Sequence, residues 1–256
     1  MTVLAAKDLS VTASDGSTLL SHVSFSIEAG ETAVICGRPG SGKTLLAKAL
    51  KGLLADRPGL TVAGDVAAAV DIGYVFQSPR TQLVRRTVRR DVAFGLENRG
   101  VEPGAIEDRI ATHAEELEAT ALLDRRVEGL SGGEAAKAAL LGVLVTEPAV
   151  IVLDEPLAAL DLPNTQLLLD ALDRLRAAGT AVIVAEHDLR DLLERADHVH
   201  LLQKGSVAAA GPPDDVRRDL AASGVRLPIS LEVELAHTGS VTGRLEPARD
   251  ESGVGR

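Results

Sequence analysis

Nine consecutive residues, CGRPGSGKT at positions 36–44, combine three glycines, a lysine and a hydroxyl side chain just after an apolar run. Gly37, Gly42, Lys43 and Thr44 fit the spacing G-x-x-x-x-G-K-[ST]. Each residue type has its own use. Glycines let the main chain adopt φ > 0 and come close to a ligand. The loop Gly37, Arg38, Pro39, Gly40, Ser41, Gly42 can then turn its N–H groups into one concavity that suits an anion. A helix starting near Lys43 adds its positive end. Lys43 brings a point charge for the β- and γ-phosphates of a nucleotide, and the Thr44 hydroxyl can ligate Mg²⁺. The plain alternative is a solvated glycine turn. The strand before it and the helix after it favour the phosphate loop.

A second chemical signal is VIVLDEP, an apolar strand ending in Asp154 and Glu155. A carboxylate at the C-terminal end of a parallel strand lies near the crevice where ligands bind. Asp154 can hold Mg²⁺, and Glu155 can polarise a water for attack on the γ-phosphate. The alternative is an acidic N-cap for the next helix. Downstream of a phosphate loop the catalytic reading is preferred.

The elements that must position these groups are legible as alternation. Residues 2–12 and 23–28 alternate apolar and polar, as half-buried strands do. TAVIC (32–36) is a continuous apolar strand, and TLLAKALKGLLA (44–55) has helical spacing. One or two short strands are expected over 66–76. From about Thr87 to Glu147 the pattern is helical. It then returns to strand and helix in turn: AVIVLD (149–154), a helix around 164–178, AVIVAEH (181–187), a helix around 189–196, and HVHLLQKG (198–205). Such alternation predicts an α/β fold with a mostly parallel sheet, and the helical block, about 84–147, reads as an inserted lobe. Beyond about Ser223 the periodicity fades, and the final ARDESGVGR reads as disordered.

Composition limits the rest. Apolar residues form 45% of 256, a globular proportion, while aromatic residues form 2%, so the core must be aliphatic. A net charge of −10 argues against a general nucleic-acid binder, which needs a basic face. The single cysteine, Cys36, excludes an internal disulfide and reads as a small buried hydrophobe. No apolar run reaches the ~18 residues that span a bilayer. The opening MTVLAAKDLS lacks the pattern of a signal peptide. A soluble protein that meets membranes through a partner is expected.

Between the two chemical motifs lies LSGGE (130–134), at the head of an apolar helical run. Ser131, Gly132 and Gly133 would present a hydroxyl and N–H groups at a helix N-terminus. Ser131 and Glu134 also fit a capping box, and both readings can hold together. With the phosphate loop and DEPLAALD, the chain closely resembles the ATP-binding cassette family of ATPases over roughly residues 3–215. The resemblance implies a P-loop core with an N-terminal antiparallel β subdomain, ATP and Mg²⁺ as cofactors, and a head-to-tail dimer in which LSGGE serves the partner's nucleotide. By the same resemblance, Gln77 reaches the metal and the attacking water, Asp161 contacts the other protomer, and His187 grips the γ-phosphate. An ATPase domain over 1–225 and a C-terminal extension over 226–256 are expected. Two departures stand out. The aromatic ring the family places against adenine is absent, since Ala13 falls there. The basic residue nearest to LSGGE is Lys137 rather than an arginine.

Gln82 and the run DVAFGLEN further resemble the ATPase subunits of energy-coupling factor importers of metal ions or vitamins. This implies a peripheral place at the cytoplasmic face of the membrane, a transmembrane T component as partner, and through it a substrate-binding S component. Arg85, Arg86, Arg89 and Arg90 lie in the segment that would dock there. If helical, they would form two like-charge i,i+4 pairs. They are read either as a solvated face or as contacts to partner carboxylates or anionic lipid, and reversing Arg86 and Arg89 would separate the two. Alternatives for the whole chain are a soluble cassette ATPase and a regulatory nucleotide-binding module without turnover. A P-loop kinase is disfavoured, because LSGGE and His187 would have no role in it.

Overall fold

A six-stranded sheet runs through the centre of the chain. The computed structural model describes residues 1–237 except Ala69 and Ala159, with main chain only for 235–237. The first strands are β1 (Thr2–Ala13), β2 (Thr18–Glu28) and β3 (Thr32–Cys36), followed by helix α1 (Lys43–Leu50). Then come β4 (Leu60–Ala68) and β5 (Ile72–Val75). Three helices follow in succession, α2 (Val88–Glu97), α3 (Pro103–Glu116) and α4 (Gly132–Leu144). The chain returns to β6 (Val150–Asp154), α5 (Leu162–Ala177), β7 (Ala181–Glu186), β8 (His198–Gln203) and β9 (Ser206–Gly211), and ends in α6 (Pro213–Ser223) and α7 (Ile229–His237).

The large sheet has the order β5-β6-β7-β3-β8-β9, parallel except for β9, which runs antiparallel to β8. Its strands β3, β5, β6 and β7 are buried at every residue, as a sheet covered on both faces requires. Successive residues serve opposite cores. Ala33 and Ile35 face α1 and the N-terminal sheet, whereas Val34 and Cys36 face the helices of the other layer. The N-terminal sheet, β2-β1-β4, is antiparallel. Along β2, Leu20, Val23, Phe25 and Ile27 are buried and polar residues alternate with them. This is the predicted fold class, with the helical lobe α2–α4 lying between β5 and β6 in the chain.

Local differences have local causes. Helix α1 stops at Leu50 rather than near 55. Gly52 takes φ +80, its N–H donates to Ala49 O, and the Leu53 N–H reaches back to Lys48 O. These are the paired bonds of a glycine-terminated helix. The predicted helix around 189–196 is absent, and only a 3₁₀ turn, Leu193–Arg195, forms there. The tail holds more structure than its faded periodicity suggested, since α7 lies beyond Ser223. The closing ARDESGVGR lies outside the described residues. Arg85 and Arg86 precede α2, so the like-charge helical pairs do not form. Instead, the Arg85 guanidinium lies 4.1 Å over the Phe94 ring, and Arg89 pairs with Glu107 at 2.6 Å and Asp124 at 3.3 Å. No helix among the described residues is long and apolar enough to cross a membrane.

Candidate functional site

Three adjacent strands, β6, β7 and β3, end at one place, which is the C-terminal edge of the parallel sheet where ligands bind. β3 runs straight into the glycine loop. Gly42, the N-cap of α1, has φ +109, a conformation that a residue with a Cβ adopts only under strain. A Cβ at Gly37 would collide with the main-chain oxygen of Leu202, so the loop can pass there only as glycine. Lys43 is 4% exposed, and its ammonium donates to Gly37 O at 3.0 Å and Arg38 O at 3.5 Å. Its charge therefore stands at the mouth of the loop. Ser41 is buried, and the Arg38 side chain turns away towards Gly224.

β6 delivers the carboxylates. Asp154 Oδ1 accepts from Thr44 Oγ1 at 2.8 Å, and Oδ2 accepts from the Tyr74 hydroxyl at 3.1 Å. Burial pushes the Asp154 carboxyl above the usual carboxylate range, while the bonds from Thr44 and Tyr74 oppose the rise. The same burial and the Asp154 charge push the Tyr74 phenol upward, so it stays a donor. Glu155 follows at φ +49, in the left-handed region, and its N–H donates to Ala185 O at 2.9 Å. Such a conformation costs about 1–3 kcal/mol and marks a side chain aimed against local preference. The Glu155 carboxylate accepts from Gln77 Nε2 at 2.7 Å and lies 3.7 Å from the Lys43 ammonium.

β7 delivers His187. The buried Glu186 before it accepts from the N–H of His187 at 3.0 Å and of Leu157 at 3.2 Å. Burial raises the Glu186 carboxyl, and these two bonds oppose it. Together Pro39, Gly40, Gly42, Lys43, Thr44, Gln77, Glu155 and His187 line one open cleft of about 750 Å³. None of the lining residues is Phe, Tyr or Trp. The far wall is made by Leu19, Leu54, Arg57, Pro58 and Leu60, so the departure noted at Ala13 is not repaired by another ring.

Ser131, Gly132, Gly133 and Asp161 are not part of this cleft. Ser131 caps α4 through the predicted capping box, with Ser131 Oγ accepting from Glu134 N at 3.2 Å and Glu134 Oε2 accepting from Ser131 N at 2.7 Å. Those bonds, with Arg125 at 2.6 Å, hold the Glu134 carboxyl below its ordinary range. Asp161 caps α5 by accepting from Asn164 N at 3.0 Å and Asn164 Nδ2 at 2.7 Å. Gly132 has no neighbour within 4 Å of where a Cβ would stand, so the face of LSGGE is open.

Several participants escaped the sequence reading. Tyr74 lies inside the apolar strand β5 and Glu186 ends β7, polar groups in apolar runs that could have drawn notice. Arg80 could not have been found this way. Its guanidinium donates to Leu130 O, and so ties the segment after Gln77 to the residue before Ser131. Gln82 has a structural use, since its side-chain oxygen accepts from Phe76 N at 3.2 Å and closes the loop that holds Gln77. Cys36, directly before the loop, is fully buried, and burial pushes its thiol up to about 12.

The fit to a divalent cation rests on the donor set. No cluster of three or more His, Cys, Asp or Glu that would cage a metal occurs among the described residues. Thr44 and Asp154 instead offer hard oxygens beside the phosphate loop. This suits Mg²⁺, which is held by one or two carboxylates plus phosphate oxygens and waters.

A mostly parallel sheet with a glycine loop, buried lysine and paired acids at its edge defines a P-loop nucleotide-hydrolysing enzyme. The profile of the ABC transporter family matches residues 20–158, more than half of the chain. A protein of Halobacterium salinarum described as an ABC transporter ATP-binding protein is 43% identical over 213 residues, covering 80% of this chain and 92% of that one. The energy-coupling factor transporter ATP-binding protein EcfA1 of Bacillus licheniformis is 35% identical over 226 residues, covering 84% and 80%. The structure of cbiO1 from Clostridium perfringens, part of the ABC transporter complex cbiONQ, superposes with a TM-score of 0.74 at 27% identity, covering 94% of this chain and 99% of that one. The chain belongs to the ABC transporter family, as an ATP-binding subunit whose ATP hydrolysis drives transport.

Proposed function

We propose that this chain powers an importer of the energy-coupling factor type, which carries a metal ion or a vitamin. The similarity to EcfA1 and to cbiO1 supports the subtype. The observation that supports the chemistry is the meeting of Lys43, Thr44, Gln77, Glu155 and His187 at one cleft. The loop amides and the Lys43 ammonium bind the β- and γ-phosphates. Thr44 and Asp154 would hold Mg²⁺, which when bound neutralises charge on the phosphate oxygens. The Glu155 carboxylate takes a proton from the attacking water, with Gln77 orienting both. The new P–O bond forms as the bond to ADP breaks. His187 steadies the γ-phosphate.

The exposed LSGGE face supports a second protomer of the same kind, identical or different, whose nucleotide it would complete. Asp161 lies on that side. A transmembrane T component is the proposed partner of the helical lobe, and an S component would supply solute specificity. That places the chain peripherally on the cytoplasmic face. Nucleic acid is not a proposed partner of so acidic a chain. We read residues 1–225 as the ATPase domain and 226–256 as an extension.

Phosphate release by the purified protein, compared with Glu155→Gln, tests the hydrolytic reading. A loss of about 10²-fold or more is expected of a missing general base. Equal rates would overturn the assignment of Glu155.

A further inference from the structure

The chain beyond α6 returns to the site. Gly224 closes that helix with φ +78, and Val225, Arg226 and Leu227 then run extended beside residues 187–189. The Leu189 N–H donates to Arg226 O at 2.8 Å, and the Arg226 N–H donates to His187 O at 3.3 Å. Burial alternates as in a strand. Val225 and Leu227 enter the same core as Leu189 and Leu192, and the Arg226 side chain is 69% exposed with its guanidinium 3.5 Å from Asp188 Oδ2. On its other side the segment meets the phosphate loop. A Cβ at Gly224 would stand 3.7 Å from Arg38 Nε. Residues 224–227 thus run from beside the Arg38 side chain to the His187 segment.

We infer that residues 224–227 are a strap that sets the position of His187, so that the C-terminal part of the chain belongs to the hydrolytic site. β3 supports its neighbour only as far as the pair Cys36 and Glu186. Past that point the His187 peptide is held by two bonds, its N–H to the Glu186 carboxylate and its C=O to Arg226. The Arg226–Asp188 pair is exposed on the arginine side, and such pairs contribute little. The main-chain bonds therefore carry the positioning, and Arg226 acts through its peptide rather than its charge. The inference rests on the reading of His187 as the γ-phosphate ligand.

The test uses the full chain. Arg226→Pro removes the N–H that His187 O accepts, and Arg226→Ala keeps it. Because small misplacements of a reacting group are costly, Arg226→Pro is expected to lower kcat for phosphate release about tenfold, with KM for ATP within about twofold. Arg226→Ala should restore the rate to within about twofold of the parent. In a His187→Ala background Arg226→Pro should cost nothing further, as expected of residues acting as one unit. A wild-type kcat in a folded Arg226→Pro variant, or losses that multiply in full, overturns the strap. If thermal melting shows that variant unfolded, Leu227→Ala loosens the buried anchor of the segment instead. Faster exchange of the Leu189 amide with a lowered kcat then supports the strap, and an unchanged kcat, or a lowered kcat without faster exchange, overturns it. Should His187→Ala turn over like the parent, the reading of His187 fails and the strap with it. Should it be slow while Arg226→Pro is not, the strap alone fails.

Discussion

Gln77 Nε2 donates to Glu155 Oε2 at 2.7 Å, across 78 positions of sequence. The amide sits at the junction of β5 with the helical lobe, and the carboxylate sits at the end of β6. A motion of the lobe that shifts Gln77 therefore shifts the orientation of Glu155. Gln77→Ala should slow phosphate release about tenfold, and Gln77→Glu, which opposes two carboxylates, should slow it further. Single-turnover assays at saturating ATP measure both.

Thr44 and Asp154 form the oxygen pair nearest the phosphate loop. Asp154→Asn should leave metal-free ATP binding near the parent value and remove most of the increase in affinity that Mg²⁺ brings, about tenfold or more. Titration calorimetry with and without Mg²⁺ reads the difference.

Away from Lys43 the cleft is lined by aliphatic residues and one guanidinium, Arg57, which has no ion-pair partner among the described residues, and under the proposed function this end would take the nucleobase. A guanidinium over a base face contributes on the order of 1 kcal/mol, so Arg57→Ala should raise the Kd for ATP about fivefold. Arg57→Tyr should lower it. Competition between ATP and GTP, followed by fluorescence of a labelled nucleotide, checks whether the aliphatic wall also leaves purine choice weak.

Arg89 is occupied by Glu107 and Asp124 inside the helical lobe, so its reversal would damage the lobe itself. Arg86 and Arg90 are exposed and have no ion-pair partner among the described residues. Arg86→Glu with Arg90→Glu should prevent co-purification with the transmembrane partner and keep basal phosphate release within about twofold. Pull-down from membranes settles it, and normal assembly would reject the docking role.

His200 is buried on β8 against Phe25, with ring centroids 4.6 Å apart, and burial lowers its pKa to about 4, with His198 adding to the effect. The unfolded chain binds a proton near pH 6.5 that the folded chain refuses. This contribution to stability is complete above pH 6.5 and is lost as pH falls towards 4. Between pH 8 and pH 5 it amounts to about 2 kcal/mol. His200→Gln should remove that part of the acid sensitivity in urea unfolding curves.

The phosphate loop, the strand-end acids and the capping box were legible because each is a local arrangement. Spacing alone puts Lys43 beside Gly37 O and Ser131 beside Glu134. The strands were legible because β3, β6 and β7 are unbroken apolar runs. Residues 189–196 misled for a physical reason. Leu189, Leu192 and Leu193 have helical spacing, but the Leu189 N–H is taken by Arg226 O, and the leucines reach the core from an irregular turn. Arg80 to Leu130 and Arg226 to His187 join distant positions, and neither partner advertises the other. The arginine row failed as a helical pattern because the main chain of Val84 and Arg85 instead bonds Asp91 Oδ1, at 2.6 and 2.7 Å, ahead of the helix.

Cys36 is the sole sulfhydryl of the chain and is sealed at the end of the central strand β3. At neutral pH it stays protonated and out of reach of maleimides. The natural molecule is therefore already a silent background for reporter chemistry. Cysteines introduced at Val84 on the lobe and Leu162 at the head of α5, which are 67% and 82% exposed, would be the only sites to react with a spin label or dye. Distances between them, followed through a catalytic cycle, would report the travel of the lobe without any other residue being changed.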